Sequence, residues 1–174
     1  MTALHEMTIA EAARRIATRD LSPVELTRAV LDRIAATDGV LHAYIAVTAE
    51  RAMAEARQAE AEIMKDGPRS PLHGVPYALK DIYDTAGIAT TGHSARCRDH
   101  VPAEDAHSVA MLRAAGGVLL GKLATHEFAT GGPSWDLPWP PARNPWDIAR
   151  FRGGSGSGAG AAVAAGLAPA AMGS

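Results

Sequence analysis

Apolar residues recur at helical spacing along the first 66 positions, then give way to short, nearly unbroken apolar runs. Ile9, Ala12, Ala13 and Ile16 fall on one helical face, and Thr8-Ile9-Ala10-Glu11 reads as a capping box. In that device the threonine oxygen accepts from the amide three residues on, while the glutamate reaches back. Ser22-Pro23-Val24-Glu25 repeats it, with proline at the first helical position, where its missing N–H is harmless. Leu26, Ala29, Val30 and Ile34 supply the second buried stripe. A short extended piece over 43–47 leads to a third helix, predicted over 49–64 and rich in Ala, Glu and Arg. These segments read as scaffold.

At Gly67-Pro68 the pattern changes. Residues 75–79 form an apolar run, and a helix is predicted over 103–115 with Gly116-Gly117 as its stop. A second β-rich run, 117–122, follows and ends on Lys122. This alternation predicts an α/β layered domain with a substantially parallel sheet. Five prolines and two of the three tryptophans between 131 and 145 predict an irregular surface loop. The alanine-rich stretch after Gly160 is predicted to be helical, over about 159–167, and not a linker. The whole chain is thus expected to form one domain, with a helical lead-in over 1–66 and the start of an α/β core over 67–174.

Composition narrows the function classes. Apolar residues make up 47% and charged residues 21%, ordinary for a soluble globular domain. The net charge is −2 and the basic residues are scattered, which points to neither nucleic acid nor an anionic membrane as a partner. One cysteine, Cys97, cannot form an intramolecular disulfide, which fits a reducing cytoplasm. No uninterrupted apolar run reaches membrane-spanning length, and the N-terminus carries acidic residues early, without a signal-peptide core.

Two stretches carry candidate chemistry. Lys80 ends the apolar run, and burial there disfavours its charged form, turning the amine into a base near neutral pH. The competing possibility is that Lys80 reaches water or pairs with Asp81 or Asp84. Lys122 has a similar apolar lead-in, but no serine cluster attaches to it by sequence. The second stretch is the glycine-serine loop from Gly153 to Gly160, running straight into a helix. Gly156-x-Gly158-x-x-Ala161 satisfies the loose dinucleotide pattern, but no buried strand precedes it. A phosphate-binding loop would end in Gly-Lys-Ser/Thr, and no lysine is present. A serine-based acyl-transfer site remains, in which glycines let backbone approach a carbonyl and hydroxyls relay protons. His93 and His126 read as structural or surface groups, since neither has a second ligand at metal spacing.

Together these blocks resemble the amidase signature family. The first is Gly74-Val75-Pro76-Tyr77-Ala78-Leu79-Lys80-Asp81, followed by Thr90-Thr91-Gly92-His93-Ser94. The other is Gly153-Gly154-Ser155-Gly156-Ser157-Gly158 leading into Ala161-Ala162-Val163-Ala164-Ala165-Gly166. Between them stand Val118-Leu119-Leu120-Gly121-Lys122, His126-Glu127-Phe128 and Arg143-Asn144-Pro145-Trp146. The resemblance implies part of an α/β/α layered mixed sheet and an amidase with a Ser-Ser-Lys mechanism. Lys80 then matches the base, and Ser155 the bridging serine on a cis peptide after glycine. It implies a small-molecule amide substrate, no cofactor and no metal, and leaves room for a homodimer of the full-length form.

In the family the attacking serine belongs to Gly-Ser-Asp-Thr-Gly-Gly-Ser, whose backbone amides also form the oxyanion hole. Gly173-Ser174 fit its first two letters. The expectation is therefore that the 174-residue chain alone does not hydrolyse amides, and that the apolar face of 161–172 is partly uncovered. Two departures stand out. Gly156 and Ala159 replace residues that are often hydroxylic in members. After His126-Glu127-Phe128, the run Ala129-Thr130-Gly131-Gly132-Pro133-Ser134-Trp135 lacks the Ser-Thr-Glu-Asn-Ser-like stretch usual in the corresponding component of tRNA-dependent amidotransferases. That favours a stand-alone amidase, with the amidotransferase component or a non-catalytic remnant as alternatives.

Overall fold

The two N-caps set the helical frame. Thr8 accepts from the Glu11 amide at 3.2 Å and starts α1 (Ile9–Ala17). Ser22 accepts from Val24 and Glu25 at 3.0 and 3.1 Å and starts α2 (Pro23–Leu41), with Pro23 in its first turn. Each such cap contributes about 1 kcal/mol to its helix. The computed structural model describes residues 3–174. Strand β1 (Tyr44–Val47) and helix α3 (Ala49–Asp66) complete the lead-in. Ala12, Ile16, Leu26, Val30 and Ile34 are buried as their spacing predicts, whereas Ile9 is exposed at the first turn.

The sheet has the order β1-β3-β2-β4, where β2 is Pro76–Lys80, β3 Val118–Leu123 and β4 Ala171–Met172. Strand β2 pairs in parallel with β3 on one side and β4 on the other, and β1 closes the far edge of β3 antiparallel. Every residue of β2 and β3 is buried, which explains their continuous apolar runs: parallel strands are covered on both faces. Alternate residues feed two cores. Val75, Ala78, Val118 and Leu120 join one cluster with α1, α2, α3 and Ala161 and Ala162 of α5 (Ser157–Ala164). Tyr77, Leu79 and Leu119 form the other, with Ile88 and Val109 of α4 (His107–Ala114). The sheet therefore lies between helical layers, as the α/β/α expectation requires.

Three boundaries differ from the sequence reading. Helix α4 begins at His107, not 103, because the preceding residues are held as a strap. Asp105 Oδ1 accepts from the Ala86 amide at 2.8 Å and Ala106 N donates to Asp84 O at 2.8 Å. Helix α5 begins two residues early, at Ser157. The alanine-rich stretch does not stay helical: Gly166 takes φ +70° and the chain returns as β4, with Ala78 paired to Ala171. Leu167 and Ala168 are buried, and the exposed apolar members of this stretch are Val163 and Ala164. The segment 131–145 is irregular, as its prolines predict.

Candidate active site

Lys80 closes β2, where successive side chains point to opposite faces of the sheet. That alternation separates it from its neighbour Asp81. Lys80 is fully buried, and its Nζ lies 2.6 Å from Ser155 Oγ, 2.7 Å from Ser174 Oγ and 3.2 Å from Ser174 O. No side-chain carboxylate among the described residues lies within ion-pair reach of this amine. Burial accordingly pushes the Lys80 amine below its ordinary value. Two hydroxyls and one backbone oxygen complete its shell, and each hydroxyl can donate as well as accept.

Ser155 is held by backbone geometry. The Gly154–Ser155 peptide is cis. The Ser155 carbonyl accepts from His126 N at 3.0 Å and Ser157 N at 2.9 Å, so its side chain is left free to face Lys80. Glycine at 154 is obligatory for packing: a Cβ there would sit 2.1 Å from the His126 ring. Gly158, in the first turn of α5, is equally constrained, since its Cβ would lie 2.5 Å from Ala43 O and Ala124 N. At Gly156 the situation is different. A Cβ would meet only ordinary contacts, 3.7 Å from Ser174 O and 3.8 Å from Lys80 Cδ.

On the opposite face of β2, Asp81 binds the second buried lysine. Lys122 Nζ lies 3.0 Å from Asp81 Oδ1 and donates to Thr90 Oγ1 at 2.6 Å and Tyr83 O at 3.0 Å. Asp81 Oδ2 accepts from the Thr91 amide at 2.9 Å and from its hydroxyl. Burial pushes Lys122 down, while Asp81 and then Asp84 pull it back up. The Thr90-Thr91 block thus serves the lysine that sequence reasoning set aside, and pins the end of the strand carrying Lys80.

Both histidines are buried and structural. His93 Nδ1 accepts from Thr125 N at 3.2 Å and its Nε2–H donates to Trp139 O at 3.0 Å. His126 Nδ1–H donates to Gly131 O at 2.9 Å. The pair ties the 131–145 loop to the site. The structure brings Lys80 and Ser155 together and adds Ser174 as a partner of the amine, which only the β4–β2 pairing delivers. Tyr83 reinforces that delivery by donating its hydroxyl to Gly173 O at 3.1 Å.

The family model described as Amidase matches residues 25–174. A glutamyl-tRNA(Gln) amidotransferase subunit of Roseiflexus castenholzii is 44% identical over 173 residues, 99% of this chain and 35% of that protein. The corresponding protein of Geobacter metallireducens is 45% identical over 170 residues, again 35% of its length. Among solved structures, the native peptide amidase from Stenotrophomonas maltophilia superposes with a TM-score of 0.86 at 36% identity, covering 93% of this chain and 34% of that one. The chain spans about a third of the length of the curated relatives it matches.

Proposed function

The chain belongs to the amidase family, and on that premise we propose that it supplies the base and bridging serine of a Ser-Ser-Lys site that hydrolyses carbon–nitrogen amide bonds. The observation that carries this reading is the 2.6 Å approach of a fully buried lysine, free of any side-chain carboxylate, to Ser155 Oγ. Neutral Lys80 takes the Ser155 proton as Ser155 takes that of the attacking serine. The new bond forms between that serine's oxygen and the amide carbon, and the C–N bond breaks as the proton returns through Ser155 to the leaving amine. Water then releases the acid by the same relay. The attacking serine belongs to the pattern that Gly173-Ser174 begins, where backbone amides would hold the oxyanion. Free Cys97 fits work in a reducing cytoplasm.

The test is hydrolysis of aliphatic and aryl amides by the protein expressed from its own gene. Turnover should fall by about 10² to 10⁴ or more in Lys80→Ala and in Ser155→Ala. Turnover indifferent to Lys80→Ala contradicts the reading.

A second reading rests on the identity to the glutamyl-tRNA(Gln) amidotransferase proteins. In it the same relay releases ammonia from glutamine for a partner protein. Co-purifying partners and a preference for glutamine distinguish it from a stand-alone amidase.

A further inference from the structure

Just upstream of the relay loop, three arginines, Arg143, Arg150 and Arg152, line one cavity of about 240 Å³. No acidic side chain lines it. Arg150 is neutralised by Asp147, 3.1 Å away. Among the described residues neither Arg143 nor Arg152 has a carboxylate within ion-pair reach. Arg152 is the more unusual of the two. Its Nε and Nη2 are enclosed, yet neither meets an acceptor among the described residues. Enclosed donors left unmatched forfeit the hydrogen bonds they made to water, and the loss is larger on a charged group. A guanidinium does not escape by deprotonation, and an anion meets both its charge and its unmatched donors.

The surroundings say what kind of anion. The Arg152 guanidinium lies 6.0 Å from the Trp135 ring centre and 5.8 Å from that of Phe151. Both rings line the cavity and are largely exposed, so they offer apolar surface around a charged fork. A planar guanidinium with free donors matches a carboxylate in two-point contact, and flanking rings match an apolar or aromatic arm. We propose that this cavity is a binding site for a small organic acid, whose carboxylate sits on Arg152 and Arg143 and whose apolar arm packs on Trp135 and Phe151.

The site stands apart from the amide chemistry, since neither Lys80 nor Ser155 lines the cavity. It nevertheless lies on the segment that ends in the relay. Ser155 follows Arg152 by three positions, at most about 11 Å of chain. The carboxylate therefore comes from one of two sources: the acid part of an amide substrate or product, or a separate small-molecule acid.

The experiment titrates the protein expressed from its own gene with phenylacetate, with its neutral analogue 2-phenylethanol and with inorganic phosphate, by calorimetry. Phenylacetate should bind about tenfold or more tightly than either, weakening as salt rises. Arg152→Gln should bring phenylacetate and 2-phenylethanol within about twofold of each other. Arg143→Gln should weaken phenylacetate in the same direction, and it carries the test if the first variant fails to melt cooperatively. Equal binding of the acid and the alcohol overturns the proposal, as does phosphate binding as tightly as phenylacetate. So does an affinity for phenylacetate that survives both substitutions. Where amide turnover is measurable, competitive inhibition by phenylacetate assigns the carboxylate to the substrate, and non-competitive inhibition assigns it to a separate acid. Because binding is read without turnover, its failure is distinguishable from failure of the amidase reading.

Discussion

Lys80 and Lys122 stand on adjacent parallel strands, each near the end of a fully buried apolar run, and each is itself wholly buried. Their surroundings differ in one respect. Lys122 has Asp81 at 3.0 Å, with a threonine hydroxyl and a carbonyl completing its shell. Lys80 has two serine hydroxyls and a carbonyl. Burial pushes both amines down, but only Lys122 has a side-chain carboxylate to hold its proton. Lys122 is the lysine paired with a carboxylate, and Lys80 is the one that the proposed mechanism uses to accept a proton. The alternation of β2 makes the division possible, since it sends Asp81 to the face away from Lys80.

The comparison breaks most visibly in turnover. Where amide hydrolysis is measured, Lys80→Met should lower kcat by about 10⁴-fold, as expected for loss of a general base. In stability the order reverses. Lys122→Met strands Asp81 without its cation in a buried site and should cost about 3–5 kcal/mol in denaturant unfolding. Lys80→Met strands no charge, and should be neutral or stabilising. Equal destabilisation by the two would show that their environments are alike.

A smaller effect concerns pH. Lys80 is depressed in the folded chain, so between that depressed value and about 10.4 the unfolded chain binds the extra proton. Stability therefore rises with pH through this window, and the cost of the buried charge is fully present below it. Lys80→Met should flatten that rise; an unchanged slope would remove Lys80 as its source. The smallest change is expected from Gly156→Ser, where an added Cβ meets only ordinary contacts. Thermal unfolding should shift by no more than about 0.5 kcal/mol equivalent.

What the sequence disclosed divides along the same line. The caps at Thr8 and Ser22 were legible because a cap is a local device, complete within four residues. The apolar runs of β2 and β3 were legible because burial on both faces leaves a continuous signal. Strand β4 was not, since Ala171 and Met172 carry no β pattern and become a strand only by pairing with β2. The start of α4 was misplaced for a similar reason: Asp105 is recruited by Ala86, nineteen residues away in sequence. In the site, the motifs located Lys80 and Ser155 and matched Gly173-Ser174 to the start of the nucleophile pattern, but they gave no contact between Ser174 and the Lys80 amine. The carboxylate that Lys80 was expected to contend with turned out to belong to Lys122, forty-one residues farther along.

The most direct test of the account is the titration of Lys80 itself. With only three lysines in the chain, 13C labelling of lysine gives three ε signals, and Lys80→Met assigns one of them. The account predicts that the Lys80 signal titrates well below about 10.4, and that Ser155→Ala perturbs it. A Lys80 signal titrating at the ordinary lysine value, and indifferent to Ser155→Ala, would contradict it.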